Sequence, residues 1–302
     1  MLVFGHGAPM TVAGVTAARA ERIRGPLEAL YRDYDYAGRV GRDAVQYPRR
    51  YTDPLDREVV ALLAASLAYG RVGLFGPWID RLLGWLGPSP RTFVLGFDPP
   101  RATALFAPFH YRFTRGVDVA AAVLGMQRLL LEHGSLRRAF LAGHQDADPD
   151  VRPALERFAT ALRDQDFRPV GMPRLTAGFR HLFPQPADGG ACKRWNLFLR
   201  WMVRREYPDF GDWPEVSPGK LVIPLDTHVA NMASAVRLTR LRSRTWRMAR
   251  DVTDTLRRLD PADPVKYDFA LCHTRMRGDC LDRRDDRVCP GCGLRPVCRH
   301  WR

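Results

Sequence analysis

The sequence is poor in lysine, in acidic residues and in long apolar runs. Lysine occurs only at positions 193, 220 and 266, so nearly all of the 47 basic residues are arginine. Asp and Glu total 33, which leaves a formal net charge of +14. Because the planar guanidinium suits phosphate, this excess predicts a polyanionic partner, with nucleic acid favoured over an anionic membrane surface. A GC-rich genome would explain arginine in place of lysine, but not the shortage of acidic residues.

No stretch reaches the roughly 18 uninterrupted apolar residues that a membrane span needs, and we expect no membrane association. The N-terminus has no basic region ahead of its short apolar run, so we do not expect a signal peptide. Residues 1–20 are interpreted as an extension without stable structure. The expected location is the cytoplasm, in association with the nucleoid, where clustered cysteines bind metal more often than they form disulfides.

No convincing period-2 run is present, and helical periodicity recurs along the chain, which predicts an all-α fold. Stop signals at Gly70, Gly87 and Gly134, and candidate caps at Asp118 and Ser135, divide the helical segments. The last helix is expected to begin at Asp263-Pro264. The segments expected to be helical are 20–36, 56–70, 77–87, 118–134, 135–143, 154–165, 193–205, 227–238, 245–259 and 263–276.

Four of the six cysteines lie in one short C-terminal stretch, with the spacing Cys280-x8-Cys289-x2-Cys292-x5-Cys298. Thiolates are soft ligands, so this pattern predicts either zinc or an iron–sulfur cluster, and the spacing alone does not choose between them. His273 and His300 are weaker candidate ligands. Cys272 is expected to be a core thiol, and Cys192 either a core residue or part of a site.

The stretch from Leu221 to His228 combines an apolar run with a polar Asp-Thr-His sequence. Pro224 favours an extended approach, and the helical pattern that follows places Asp226 near an N-cap. An Asp at that position can simply accept hydrogen bonds from free backbone N–H groups. Upstream, a Gly-rich turn leads to Lys193 at the start of another amphipathic helix, where a lysine can also be a phosphate clamp or a solvated residue.

Taken in order, these features resemble the helix-hairpin-helix DNA glycosylases of the endonuclease III class, over about residues 187–300. Gly189-Gly190-Ala191-Cys192-Lys193 is similar to the hairpin and catalytic lysine of that family. Asp226-Thr227-His228 resembles its catalytic aspartate motif, and the final C-x2-C-x5-C spacing matches its [4Fe–4S] ligands. As a whole, the chain is most similar to an uncharacterised bacterial and archaeal branch of the superfamily.

The resemblance implies two helical subdomains that flank a cleft, a helix-hairpin-helix element and a cluster loop that staples the C-terminus and presents Arg295 and Arg299 to phosphate. The chain departs from the family at three points. Ala191 stands where a glycine is usual, the first cysteine loop is longer, and the lysine and the aspartate are more widely separated. The expected divisions are the extension 1–20, an N-terminal segment 21–56 packed on the C-terminal part, a barrel-like subdomain 57–183, the hairpin and lysine helix 184–204, an insertion 205–220 and the aspartate and cluster subdomain 221–302.

The implied activity is a DNA glycosylase and AP lyase of base-excision repair, acting on damaged double-stranded DNA as a monomer. Asp226 would stabilise positive charge at the sugar C1′, and Lys193 would form a Schiff base. An oxidised base is expected, with 8-oxoguanine ahead of an oxidised pyrimidine. A monofunctional glycosylase and a non-catalytic, zinc-stapled nucleic-acid-binding protein are the alternatives.

Several residues are expected to contact the DNA in this scheme. The target base must leave the duplex, and apolar or aromatic side chains fill the gap. Tyr69 and Trp195 are candidates for that wedge or for the pocket, although both also suit an ordinary core. The expected DNA-binding residues are Gly189, Gly190, Arg194, His228, Tyr69 and Trp195.

Overall fold

A computed structural model of the protein describes residues 16–301. Helices dominate it, and the regular strands of the described chain are the two-residue β1 (His110–Tyr111) and β2 (Thr114–Arg115), paired antiparallel. The all-α prediction is therefore confirmed at this level. The helices are α1 (Ala17–Asp33), α2 (Ala37–Val40), α3 (Pro54–Leu67), α4 (Val72–Leu86), α5 (Pro90–Leu95), α6 (Pro99–Phe106), α7 (Gly116–His133), α8 (Leu136–Leu141), α9 (Arg152–Arg163), α10 (Ala177–Leu182), α11 (Lys193–Val203), α12 (Thr227–Ala235), α13 (Trp246–Arg257) and α14 (Asp268–Met276).

At the junction of α7 and α8, two helix ends lie where the sequence predicts them. The Ser135 hydroxyl accepts from the Arg138 N–H at 3.0 Å and caps α8, and Gly134 ends α7 in the left-handed conformation with φ of 82°. The prediction that Asp118 caps α7 is wrong by three residues. Arg115 is the N-cap, and Asp118 lies in the first turn, where its carboxylate accepts from the Arg115 N–H at 2.7 Å.

The last helix also begins later than predicted, at Asp268 instead of Asp263-Pro264. The Asp260 carboxylate accepts from the Asp263 N–H at 3.0 Å, which closes a turn at that point. The Asp263 carboxylate is in turn bound by Arg204 at 2.8 Å. These side-chain contacts hold residues 260–263 in a turn, where the sequence pattern suggested a helix start.

The core is built around α3, which is buried along nearly its whole length and packs directly against α11. Because α3 carries apolar residues on every face, it lies inside the molecule, as expected for a helix without a polar side. α7 packs against α5, α6 and α8, and its Gly116 approaches the backbone of Phe106 so closely that a Cβ would stand 2.0 Å from that carbonyl oxygen. The large side chains that are almost fully buried include Trp195, Trp201, Trp213, Phe140, Phe158 and Phe198.

Helix α1 ties the start of the described chain to its C-terminal part. The Arg19 guanidinium donates to the carbonyl oxygens of Val236 at 3.0 Å and Val297 at 2.7 Å, and Glu28 pairs with Lys266 at 3.0 Å. Residues 17–20 belong to this helix, so that part of the expected N-terminal extension is regular structure. Residues 1–15 lie outside the described residues.

Residues 205–220 have no regular structure apart from a 3-10 turn at Pro218–Lys220, yet they are fixed to the core. Trp213 is buried and donates its indole N–H to Glu58 at 3.3 Å. Asp212 pairs with Arg57 at 2.8 Å, and the Lys220 carbonyl accepts from the Val151 N–H at 3.0 Å. This segment is therefore an integral part of the packing.

Within residues 16–301, none of the helices combines the length and the apolar character that crossing a bilayer requires.

Candidate functional site

Lys193 is the first residue of α11 and is placed by an unusual turn. Gly189 has φ of +76° and Cys192 has φ of 48°, so two left-handed residues bring the chain into the helix. No side chain caps this helix start. The Lys193 ammonium donates to the Ala68 carbonyl oxygen at 3.2 Å, and Ala68 is the C-cap of α3. The amine therefore lies where the ends of two core helices meet.

Asp226 is the N-cap of α12, as the sequence predicts. One of its carboxylate oxygens accepts from the Val229 N–H at 2.8 Å, so the capping role is present. The other carboxylate oxygen lies 3.6 Å from the Cys272 sulfur, which donates to it. The five residues before Asp226 are buried, and this packing leaves only the polar end of the segment to face outward.

Lys193 and Asp226, which are distant in sequence, line one small pocket of about 80 Å³ that is open to solvent. We call it the inner pocket. Its wall is both apolar and charged, a composition typical of a ligand site. Besides these two residues, its lining includes Asp43, Phe75, Arg200, His228, Asp268, Phe269, Cys272, His273 and Met276.

Two buried ionic contacts form one side of the inner pocket. Asp43 binds His273 at 2.9 Å. Burial raises the pKa of Asp43, but this hydrogen bond and the charge of His273 outweigh burial, and the pKa of Asp43 falls to about 2. Asp268 is bound by Arg200, yet burial and the negative charge of Asp226 raise the pKa of Asp268 to about 6.

Cys272 lines the inner pocket beside Asp226 and is a neutral thiol there. Burial, followed by the charges of Asp226 and Asp268, raises its pKa well above the usual value, while the charge of Lys193 lowers it. A thiol in this form is a hydrogen-bond donor and a poor nucleophile. Cys272 is therefore suited to orient the Asp226 carboxylate and not to attack a substrate.

A second depression, the rim groove, shares Lys193, Asp226 and His228 with the inner pocket and continues outward past Tyr69, His181, Gly190, Arg194 and Arg244. The Arg194 guanidinium lies over the Tyr69 ring at 5.5 Å and bonds the His181 ring at 3.1 Å. Its Nε is buried without a hydrogen-bond partner, and no carboxylate within residues 16–301 pairs with it. Burial lowers the pKa of Arg194 to about 10.

The uncompensated charge at Arg194 also affects its neighbour His181. Burial, and then the charge of Arg194, lower the pKa of His181 to about 4. The ring is therefore neutral near pH 7 and accepts the hydrogen bond from the guanidinium. A buried cation whose partners are a neutral ring and an aromatic face has capacity for an anion, and the uncapped start of α11 adds free N–H groups beside it.

Most of the residues proposed to contact DNA lie near this cleft, but Trp195 does not. Trp195 is only 1% exposed and donates its indole N–H to the Pro184 carbonyl at 2.9 Å. The prediction that it forms a wedge or pocket wall is wrong, because its ring packs between Phe158 and Phe183 in the core. Cys192 is likewise buried, although it lines the rim groove, and burial raises its pKa to about 12.

The sequence analysis missed an exposed aromatic residue that lies beside the rim groove. Phe113 stands at the tip of the β1–β2 hairpin, is 63% exposed, and lies 5.3 Å from the His181 ring. Arg112 beside it has φ of 51°, and the hairpin presses on Gly70, where a Cβ would stand 2.8 Å from the Tyr111 hydroxyl. A two-residue strand is too short to give a period-2 pattern. The only feature of the sequence that indicates the hairpin is the Tyr-Arg-Phe run between two helical segments.

The cysteine tail has the donor set for a metal, but the thiols are not arranged around one point. Burial raises the pKa of the Cys292 thiol, and the charges of Cys280, Cys298 and Cys289 raise it further. In the part of the chain that the structure describes, however, no group of three His, Cys, Asp or Glu side chains has a geometry that would hold a metal ion. The metal centre stays a prediction from the spacing.

The comparisons with known proteins assign a family to most of the chain. The sequence profile of a family described as "Protein of unknown function (DUF2400)" matches residues 43–277. This range contains the inner pocket and both candidate catalytic residues, and it ends before the first cysteine of the tail. None of the curated proteins that were compared with the chain matches it.

Proposed function

The chain belongs to the DUF2400 family, and we propose that it is a DNA N-glycosylase with an associated AP lyase activity. The observation that carries the proposal is the shared inner pocket. An amine and a carboxylate lie on its wall, although they come from two helices separated by a long irregular segment. This is the pair of groups that cleavage of an N-glycosidic bond by covalent catalysis requires.

The proposed reaction begins with attack on the sugar. The lone pair of the Lys193 amine forms a bond to C1′, and the C1′–N bond breaks with its electron pair leaving on the base, which takes up a proton. Asp226 stabilises the positive charge that develops at C1′ and accepts the proton lost by the amine. Ring opening gives a Schiff base, β-elimination expels the 3′ phosphate, and hydrolysis frees the lysine.

The lining of the inner pocket carries the kinds of group that contact a planar base with polar edges. Phe75 and Phe269 supply aromatic surface, and the Asp43–His273 pair supplies hydrogen-bonding groups. We propose an oxidised base as the substrate, with 8-oxoguanine first, in double-stranded DNA. Extrusion of that base from the duplex needs a residue that fills the gap, and we assign this role to Phe113 with the flanking Arg112.

Borohydride trapping tests the proposal directly, because the chain has only three lysines. Incubation with duplexes that carry an oxidised base should give a covalent adduct on wild-type protein, and Lys193→Gln should abolish it while duplex binding persists. Lys220→Gln is the matched control, since its ammonium bonds the carbonyls of Gln145 and Asp146 and lines neither the inner pocket nor the rim groove. An undiminished adduct in Lys193→Gln would exclude this lysine as the nucleophile.

A monofunctional glycosylase is the second candidate. One observation supports it, namely the groove that Lys193 shares with Arg194. The lysine shares the rim groove with the uncompensated Arg194, so both can act as a clamp for phosphate. In that case the product is an intact abasic strand and no adduct is trapped. A strand break that appears only after treatment with alkali would identify this activity.

We also propose that Cys280, Cys289, Cys292 and Cys298 bind a [4Fe–4S] cluster, with zinc as the alternative. Such a centre would fix the C-terminal loop and would not take part in the reaction. Iron, acid-labile sulfide and zinc should be measured on protein prepared anaerobically. About four irons per chain support the cluster, and stoichiometric zinc would support the alternative metal and strengthen the case for a non-catalytic binding protein.

A further inference from the structure

The segment that joins α12 to α13 presents arginines at alternate positions. Arg240, Arg242 and Arg244 are exposed, and so is Arg237 at the start of the segment. Within residues 16–301, the side chains of these four arginines make no ion pair with a carboxylate. We call the four residues the arginine track. The arginine track is therefore a row of positive charges that no carboxylate of the described chain neutralises.

Three residues of the track line a groove of their own. Arg237, Arg240 and Arg242 share it with Arg22 and Arg299, and its remaining lining is Thr16, Arg19, Ser234, Thr239 and Leu241. No carboxylate belongs to this lining. Asp251 lies outside the lining and accepts a hydrogen bond from the Thr239 hydroxyl. The groove therefore combines guanidinium groups and hydroxyls, which are the side chains that bind phosphate oxygens.

The track leads directly to the proposed catalytic cleft. Arg244 lines the rim groove together with Lys193 and Arg194. The next residue, Thr245, pairs with Gly190 in an antiparallel bridge, and the Trp246 N–H donates to the Gly189 carbonyl at 3.0 Å. These contacts fix the arginine segment against the turn before Lys193, so the positive charge continues from the cleft onto the surface.

Arg237 also occupies a backbone position where arginine is unfavourable. Its φ is +61°, and it follows the C-cap of α12, where glycine or asparagine is usual. The Leu238 N–H bonds the Ala233 carbonyl at 2.7 Å, which completes this helix ending. Since the exposed side chain makes no ionic contact within the described chain, the fold gains nothing visible from arginine at this position.

We propose that the arginine track binds the phosphodiester backbone of duplex DNA beyond the nucleotide that occupies the cleft. This inference rests on the proposed function of the cleft for its choice of DNA. Guanidinium groups bind phosphate oxygens in pairs without reading the base sequence. The track therefore fixes the duplex in register with the inner pocket, and its contribution is independent of a damaged base.

The test is the salt dependence of binding to an undamaged, fluorescently labelled duplex. Each phosphate contact contributes about 0.9 to the slope of log K against log salt concentration, so a triple Arg237→Gln, Arg240→Gln, Arg242→Gln variant should lower the magnitude of the slope by about 2 to 3. A second triple with lysine in place of glutamine should retain the slope. An unchanged slope in the glutamine triple would overturn the proposal.

The matched control removes the same charge elsewhere. Arg32, Arg81 and Arg101 are exposed residues of α1, α4 and α6 that do not line the arginine groove or the cleft, and their triple glutamine variant should leave the slope within about 1 of wild type. An equal loss of slope in both triple variants would show a general effect of charge and would refute the proposal that the arginine track binds DNA.

Arg237→Gly alone should raise the midpoint of thermal unfolding while it weakens binding to the duplex.

Two further outcomes distinguish this proposal from a membrane-binding role of the arginine track and from the catalytic proposal. If the glutamine triple loses binding to vesicles that contain anionic lipid but keeps its affinity for duplex, the track serves a membrane surface and the proposal is wrong. If the slope falls as expected but wild-type protein releases no base and traps no adduct, the track stands and the catalytic proposal fails.

Discussion

The two ends of helix α11 carry the same kind of residue in opposite surroundings. At its C-terminal end, Arg200 binds Asp209 and Asp268, and Arg204 binds Asp209 and Asp263. At its N-terminal end, Arg194 has a histidine ring and a tyrosine face for partners. Arg200 and Arg204 are each paired with two carboxylates, whereas Arg194 has no counter-charge among the described residues.

This contrast separates charges that serve the fold from charges that are open to a ligand. Burial alone would lower the pKa of Arg200, but Asp209 and Asp268 more than offset it and raise the pKa. For Arg194 burial is not offset, and the pKa falls. A protein that keeps an uncompensated buried cation loses stability by doing so, and a bound anion would supply the missing charge. The N-terminal end of α11 is therefore the end that we propose binds an anion.

The largest expected effect is a difference in stability between two single variants, each of which removes an arginine from one end of α11. Arg200→Gln leaves the buried Asp268 without its partner and leaves Asp209 with Arg204 alone, and it should lower the free energy of unfolding by about 3–5 kcal/mol. Arg194→Gln removes a charge that has no counter-ion and should change it by no more than about 1 kcal/mol. Urea unfolding of both variants measures the difference. Equal losses would show that the two ends do not differ as described.

A slightly smaller effect is expected from Asp226→Asn. Asparagine caps a helix about as well as aspartate, so unfolding should shift little, but the charge that stabilises C1′ is lost. Base release should slow by about 100- to 1,000-fold, which is the usual cost of one electrostatic group in an active site. Single-turnover rates measure it. A large loss of stability together with an unchanged rate of base release would show that Asp226 serves only as the N-cap of α12.

The proposed wedge should contribute less. Phe113→Ala should slow release of a base-paired lesion roughly tenfold, because an aromatic contact with a base is worth about 1–3 kcal/mol. It should have little effect on a lesion in a single strand, where no stack has to be opened. Leu131→Ala is a control at another exposed apolar side chain. A similar loss on both substrates would argue that Phe113 shapes the pocket and is not a wedge.

The smallest effect concerns the pH dependence of stability. Because the pKa of His181 is about 4 in the folded chain and 6.5 in its unperturbed state, its contribution to stability is present above pH 6.5 and is lost as the pH falls towards 4. His181→Gln should flatten this part of the stability profile. In Arg194→Gln, the His181 pKa measured by NMR should rise, since one of its two causes is removed. An unchanged pKa would mean that burial alone sets it.

The sequence predicted the local parts of this molecule well, because they depend on neighbouring residues. The helical pattern of α11 and the capping by Asp226 and Ser135 follow from residues within four positions of one another. The charge network of Arg200 could not be predicted, since its partners lie 9 and 68 residues away. The same limit applies to Trp195, whose burial depends on Phe158, and to Phe113, whose exposure depends on where a short hairpin lies.

The placement of Trp213 has a consequence for the stretch from 205 to 220. A segment without regular structure usually suggests a flexible lid or a site for proteolytic nicking, but this one contributes an indole to the interior. We expect its amides to exchange slowly and proteases to cut elsewhere first. Deletion of residues 205–220 would not yield a folded, active protein. The cavity left beside Glu58 would admit water, and the domain would unfold.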